Sequence, residues 1–577
     1  MKKKTRPSSA AWGRRSIKFG VVLLTTTLAL ADHHKVSKDL EDQDQNAEVN
    51  VIVQFRHPAG DADHQKVQAL GGKHKSKLDL GDKGAYSVRA GNLQQLAGDP
   101  DVLHVSQDHR LNGALDLTTD AVNADFGWRY GWDGSGIGIA VIDSGITSHA
   151  DLQKTYFGSR VVYAESFVGD SPQDSSTDDW YGHGSHVAGI LAGNASDSTG
   201  KSFFRNFIGI APQAWLINLR ALDETGAGTD SSVIAAINRA IQLKSKYNIR
   251  VMNLSLGRPV FESYTDDPLC QAVEAAWNAG IVVVVAAGND GRNNAAGNGG
   301  YGTINSPGND PYVITVGAMK ANGTSTRSDD TIASYSSKGP TLFDHVVKPD
   351  IVAPGNKVVS LLSMRGALAK RYPQTLISNS YYTYNSSPGR STDYFMLSGT
   401  SMATPVVSGA AAVLLEKEPR LTPDQVKARL MKTATKNFPS YSIAVDPMTF
   451  ATYRSQYDIF TVGAGYLDIA AALSSSDVLP GTAHSPAVVY NAAARAVSLV
   501  FDSSLAWGNS ISWGTSICWG TSVLTGSSVA SGTSIAWGDS TLLGFNSIWN
   551  NSIAWGDSIA WGDSTVSGEA LMANGDR

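Results

Sequence analysis

Charged residues make up only 17% of this 577-residue chain, well under the quarter usual for globular proteins. That is too few for a chain held open by its own charge. The net charge is −5, so the basic excess of a nucleic-acid-binding protein is missing. No run of about 18 apolar residues occurs, which excludes a multi-span membrane protein. Two cysteines, Cys270 and Cys518, cannot build a disulfide framework. Glycine, in contrast, is abundant at 57 residues, without a collagen period. Of the 13 tryptophans, seven lie after residue 500. The composition is therefore uneven, and the length allows three or four folded units at roughly 100–200 residues each.

The first piece is an address. Residues 1–31 hold seven basic residues and no acid. An apolar run from Gly20 to Leu28 leads into Ala29-Leu30-Ala31. Basic start, short apolar core and small residues at the exit predict a secretory signal cut after Ala31. Arg14-Arg15 is compatible with a twin-arginine signal or with an ordinary basic start. Export removes seven positive charges and leaves a clearly acidic protein.

Residues 32–47 are polar and read as a linker. Val49 to Phe55 then alternates like a strand. A helix is predicted from His64 to Leu70, ending at Gly71-Gly72. Strands follow over Gly84–Val88 and Val102–Val105, with a short helix over Asn92–Ala97 between them. A further strand near Lys77 to Leu80 would complete a β-α-β-β-α-β order, a two-layer unit of marginal stability alone. Seven of the 12 histidines fall in this region. They read as solvated surface or as a segment that gains charge between about pH 5 and 8. Their spacing matches no metal site.

The third piece carries the chemistry. Gly136 to Ile142 is a buried-strand pattern running into Asp143-Ser144-Gly145. Tyr181-Gly182-His183-Gly184-Ser185-His186 opens as a glycine-rich turn and continues as a helix of small residues. Val251 to Leu256 and Ile281 to Val285 are further apolar strands, the second ending in Ala286-Ala287-Gly288-Asn289-Asp290. Ser398-Gly399-Thr400-Ser401-Met402-Ala403-Thr404-Pro405 leads into an apolar, buried helix. Helices are also predicted over Ser231–Lys244 and Asp267–Asn278. Alternating strands and helices define an α/β domain with a mostly parallel sheet covered on both faces. Sites in such sheets lie at strand carboxyl ends, where Asp143, Ser255 and Asn289 fall.

The segments VIDSGI, HGSHVAGI, NLSLG, AAGND and GTSMATP, spread from 141 to 405, resemble the subtilisin family of serine proteases. Their Asp…His…Ser order is the subtilisin order. The resemblance covers roughly residues 113–475 and implies a three-layer α/β fold. It also implies a secreted endopeptidase working through an acyl-enzyme. A serine hydroxyl needs a base. Ser401, at a helix N-terminus, would be the nucleophile, His183 the base and Asp143 the group that orients His183. Asn289 would donate to the oxyanion beside the Ser401 backbone N–H. His186, three residues along the same helix, cannot share that contact and reads as packed or surface.

By the same resemblance, extended substrate would pair with Leu254-Ser255-Leu256-Gly257 and with the loop Gly226-Ala227-Gly228-Thr229. Ala286-Ala287-Gly288 would wall the S1 pocket, and such small walls imply broad specificity. No cofactor is needed for the chemistry. Structural calcium is common in the family, but the loop Asn194–Phe207 offers no ligand pattern to place it. Residues 49–110 look like the family's inhibitory propeptide, giving a signal over 1–31, a propeptide over 32–112 cut near 109–113, and a catalytic domain over 113–475. The long insert between Gly355 and Ser398, rich in Tyr, Ser, Arg and Asn, exceeds ordinary loop lengths and is expected to flank the cleft.

From Trp507 the chain runs in ten hexads. Trp507, Trp513, Trp519, Trp537, Trp549, Trp555 and Trp561 share one register, and glycine follows the first position in nine hexads. An even period suits a strand, and units too short to bury their tryptophans suggest a stacked, β-rich repeat tail over 476–577. A tail removed on maturation and a segment binding a surface or partner are the other readings. Residues 501–577 carry six acids and one base, which argues against nucleic acid and anionic membranes as targets. The expected partners are polypeptide substrates and the chain's own propeptide. A rival reading makes the chain a surface adhesion or carbohydrate-binding protein, with the hexad tail as its working part and the protease domain inert. Asp143, His183, Asn289 and Ser401 occurring together argue against it.

Overall fold

The strands form where apolar, β-branched residues run together, and the pattern of each run tells which faces it buries. In the first unit, Glu48–Phe55 (β1) alternates, with Val49, Val51, Val53 and Phe55 turned into the core. In the second, Gly138–Asp143 (β5) and Val282–Ala286 (β9) are buried at every position, the signature of parallel strands covered on both faces. The computed structural model describes residues 45–107 except 78–81, and 117–491 except 155–157, 170–174, 295–297, 385–387 and 479–480. It also describes 35, 36, 40, 496–500, 517–519, 522–524 and 566–576. The expected signal over 1–31, the cut near 109–113 and most of the hexad repeat lie outside these residues. Two compact units divide the chain, Met1–Leu111 and Asn112–Arg577.

In the first unit, β1 is joined by Lys73–Lys77 (β2), Lys83–Arg89 (β3) and Val102–Gln107 (β4) in an antiparallel sheet of order β2-β3-β1-β4. Helices span Asp61–Ala69 and Leu93–Ala97. Of the strand expected near Lys77–Leu80, residues 78–80 lie outside the described residues; the described strand β2 begins at Lys73, soon after Gly71 turns the chain at φ +78°. Val51, Val53, Val67, Tyr86, Val88, Leu96 and Val105 make this unit's own core. His64 Nδ1 lies 2.6 Å from the Tyr86 hydroxyl, and its ring is 4.3 Å from that of His74.

The second unit is built on an eight-stranded sheet. Val161–Ser166 (β6), Trp215–Arg220 (β7), Ile249–Leu254 (β8), Ile314–Lys320 (β10), Thr331–Ile332 (β11) and Ile351–Pro354 (β12) join β5 and β9. The order is β11-β10-β9-β8-β5-β7-β6, with β12 also on β10. All pairings are parallel except β10 with β11. After β5 the chain goes first to the sheet edge as β6 and returns with β7 between β6 and β5. It then crosses to the other side with β8, β9 and β10. The carboxyl end of β5 is therefore a topological switch point, where a crevice opens. Helices His183–Ala192 and Thr400–Lys417 pack together, as do Asp230–Tyr247 and Pro268–Asn278. Thr229 caps the third of these by accepting the Ser232 N–H at 3.2 Å, and Asp267 caps the fourth through the Leu269 N–H at 2.9 Å.

The insert between Gly355 and Ser398 forms a small antiparallel sheet from Val358–Leu361, Leu376–Ser378 and Arg390–Leu397. Its tyrosines pack on the Asn194–Phe207 loop, with the Tyr382 and Phe203 rings stacked at 5.7 Å and Tyr394 4.6 Å from Phe207. Within the repeat, Ile517–Trp519 pairs antiparallel with Ser522–Leu524. Cys270 is a buried free thiol. Among the described residues, no helix is long and apolar enough to cross a membrane.

Candidate active site

Asp143 ends β5, and its Oδ1 accepts the Ser144 N–H at 2.8 Å. The same oxygen is 2.8 Å from His183 Nδ1, at the first turn of its helix. Both side chains are at most 2% exposed. A buried carboxylate at that distance holds the proton on Nδ1 and turns Nε2 outward as the acceptor. The approach requires glycine at 184, since a Cβ there would stand 2.2 Å from the Gly145 carbonyl oxygen and 3.1 Å from Asp143 Oδ1.

Ser401 lies in the first turn of Thr400–Lys417, a helix buried from Thr400 through Leu415. Its Oγ donates to the Ser255 carbonyl at 3.2 Å, while Ser255 Oγ donates to the Ser401 carbonyl at 2.8 Å. Ser255 Oγ also accepts from Asn253 Nδ2 at 2.9 Å. The Ser255 side chain thus holds the Ser401 backbone, a task beyond the strand edge that the sequence suggests.

Asn289 follows β9. Its Oδ1 accepts the Thr400 N–H at 2.9 Å and the Thr400 hydroxyl at 3.1 Å. This fixes the amide rotamer and leaves Nδ2 beside Gly399, where a Cβ would come within 3.4 Å of it.

One cleft gathers these groups. It is lined by Tyr181, His183, Leu222, Gly226, Ser255, Leu256, Gly257, Ala286, Gly288, Asn289, Asn305, Thr400 and Ser401. Leu254 and Ala287, expected at the cleft, are fully buried and do not line it. Gly228 pairs with Leu222 across the turn of its loop and also lies outside the lining. Nor does any residue of the insert's sheet reach the cleft lining. The insert instead braces the turn before His183, with the Ala367 N–H on the Trp180 carbonyl at 2.9 Å and the Leu368 N–H on that of Tyr181 at 3.0 Å.

Four lining residues escape the sequence reading: Tyr181, Leu222, Asn305 and Thr400. Tyr181 presses on Gly226, where a Cβ would fall 2.4 Å from its ring. Asn305 packs under Gly288 in the same way, at 2.8 Å, and adds an amide to otherwise small walls. Asp179 was missed as well. This buried carboxylate accepts from Gly182 N at 2.6 Å, Ser185 N at 2.8 Å and Ser144 Oγ at 2.8 Å, and so ties the His183 turn to the end of β5. Burial pushes its pKa up against those donors. An acid four residues before His183 is the only trace of this in the sequence. His186 is packed: its Nε2 is 3.0 Å from the Val358 carbonyl, and burial pushes its pKa down to about 3.

Calcium asks for six to eight oxygen ligands. His149, Asp151 and Asp197 bring one atom each within 4.8 Å of one another. One of the three is an imidazole, and Asp151 already accepts the Asp197 N–H and the Tyr394 hydroxyl, each at 2.8 Å. His57, Asp63 and Asp101 cluster likewise, with Asp101 held by Lys66 at 2.6 Å. Neither donor set fits calcium.

A doubly covered parallel sheet with an Asp–His pair and a helix-start serine at one crevice is the architecture of a serine peptidase. Residues 134–449 match the Subtilase family, Peptidase S8. Serine protease AprX of Bacillus subtilis (strain 168) is 37% identical over 335 residues, covering 57% of this chain and 68% of that protein. Subtilisin E of the same strain is 34% identical over 373 residues, 64% of this chain and 80% of its own. Subtilisin DY of Bacillus licheniformis is 36% identical over 315 residues, 54% and 89% respectively. The chain belongs to the subtilase family.

Proposed function

We propose that this chain is a secreted serine endopeptidase of broad specificity in which Asp143, His183 and Ser401 form the triad and Asn289 the oxyanion donor. The observation that carries the reading is the buried 2.8 Å Asp143–His183 pair opening on the same cleft as Ser401. His183 Nε2 takes the Ser401 proton as Oγ leaves the Ser255 carbonyl and attacks the substrate carbonyl. Asp143 stabilises the imidazolium formed. Asn289 Nδ2 and the Ser401 N–H receive the oxyanion. His183 then gives its proton to the leaving amine, and water resolves the acyl-enzyme by the reverse sequence.

Leu256 and Gly257 on one side and Gly226 on the other provide backbone edges for an extended peptide. Ala286, Gly288 and Asn305 form a small-walled pocket for the residue before the scissile bond, which supports broad rather than charge-selective cleavage. Residues 32–112 act as folding aid and inhibitor until removed. A separate small unit with its own core, placed ahead of the family domain, supports that role. The basic, then apolar, then small-residue start supports export.

A fluorophosphonate probe tests the assignment. It should label Ser401 in the wild type, and labelling should fall steeply in His183→Ala. Absence of label on Ser401 in the processed wild-type protein rejects the triad.

A further inference from the structure

The last described residues of the chain return to the catalytic unit as a built contact. A helix over Val566–Asn574 lies against Arg390–Leu397, the strand that leads into the Ser401 loop. The Ser398 N–H, three residues before Ser401, donates to the Met572 carbonyl at 2.8 Å. Gly575 turns at φ +59°, and a Cβ on it would stand 2.4 Å from Ser398 Oγ and 2.5 Å from Asn356 Oδ1. Only glycine fits there.

Asp576 is fully buried. Its carboxylate accepts from Arg292 at 2.7 Å, the Ser334 hydroxyl at 2.7 Å and the Ser334 N–H at 2.7 Å. The Asp576 N–H donates to Asn356 Oδ1 at 2.8 Å. Arg292, three residues after Asn289, also pairs with Asp446 at 2.8 Å. At the other end Glu569, buried as well, pairs with Arg371 and accepts the Tyr372 hydroxyl at 3.3 Å. Two buried carboxylates, each with a cationic partner, are costly to strand, so this sequence is matched to its receptor at both ends.

No residue of the segment lines the substrate cleft. A separate cavity of about 600 Å³ lies between Asn289, Arg292 and Asn293 on one side and Ala570, Leu571 and Asn574 on the other. The segment therefore stands outside the substrate cleft and touches both the Asn289–Arg292 and the Ser398–Ser401 loops.

We propose that the acidic segment Glu569–Asp576 is an intramolecular peptide ligand of the catalytic unit, whose docking positions the Asn289–Arg292 and Ser398–Ser401 loops. The proposal rests on the assignment of Ser401 and Asn289 above. Asp576 is a positioning residue: it acts through Arg292 and Ser334 and meets no substrate. The receptor recognises the sequence Asn574-Gly575-Asp576 by the Asp576 side-chain carboxylate.

The test compares full-length wild type with Gly575→Val and Asp576→Ala. The expected result is a fall in kcat on a chromogenic peptide of about tenfold or more, since misplacing catalytic groups by about 1 Å costs on the order of 10²-fold. KM and the final extent of fluorophosphonate labelling should stay as in the wild type, while hydrogen exchange at the Ser398 amide quickens. A synthetic peptide of residues 566–577 should restore kcat to Gly575→Val, and the same peptide with Asp576→Ala should not. Unchanged or raised kcat overturns the proposal. So does a fall in kcat that accompanies lost thermal stability and resists the peptide. If wild type itself takes no label, the triad assignment fails and the positioning role with it; exchange protection at Ser398 then decides the docking site by itself.

Discussion

Asn289 offers its side-chain oxygen to Thr400, at 2.9 Å from the backbone N–H and 3.1 Å from the hydroxyl. Thr400, next to the proposed nucleophile Ser401, thus sets which end of the Asn289 amide faces the cleft. Replacing Asn289 by Ala removes a donor that matters only when the oxyanion forms. We expect kcat to fall about 10²–10³-fold, the range seen for that donor in subtilisin, with KM changed little. Steady-state kinetics on a chromogenic peptide check this; a change confined to KM would assign Asn289 to ground-state binding instead.

Ser401→Ala removes the proposed nucleophile. Activity should drop by about 10⁶-fold, as for the triad serine of subtilisin, and the purified variant should keep residues 32–112 attached. Intact mass of wild type and variant, each made in isolation, reads this directly. Normal maturation of the variant would show that another protease makes the cut.

Gly184→Ala tests the closeness of His183 to Asp143. The added methyl would lie 2.2 Å from the Gly145 carbonyl oxygen, too close for backbone to yield cheaply. The His183 helix must move off the end of β5, and kcat should fall on the order of 10²-fold or more. Wild-type kcat in a folded Gly184→Ala protein would refute the tight packing.

His186 predicts an acid limit to stability. Burial first, and then the neighbouring His183, lower its pKa from 6.5 to about 3 in the folded state. Between those values the unfolded chain binds a proton that the folded chain refuses, so stability rises with pH across this window. It is therefore fully present above about pH 6.5 and lost as pH falls toward 3. In His186→Gln the slope of stability against pH over this range should be shallower by up to one proton. Denaturant melts at several pH values measure it, and equal slopes for both proteins would dismiss the effect.

The sheet was readable because its strands are continuous apolar runs, and because Asp143, Ser255 and Asn289 follow them directly. The Gly-His-Gly turn and the apolar helix after Ser401 were equally plain. Residues that act by filling space were not. Tyr181, Asn305 and Asp179 have no periodic pattern, and their neighbours Gly226, Gly288 and Ser144 lie 45, 17 and 35 positions away. The placement of Leu254 and Ala287 also failed to follow from the motif, since alternate positions at a strand's end turn inward.

By itself, then, the sequence determined the α/β fold class, the candidate catalytic residues and their order along the chain, all written in local pattern and motif. Tertiary structure alone decided which neighbours hold those residues: Ser255 on the Ser401 backbone, Asp179 under the His183 turn, Asp576 against Arg292 and Ser334. Such contacts join segments up to 284 residues apart. They arise only once the sheet has closed, because burial then makes each stranded polar group costly and each remaining gap specific.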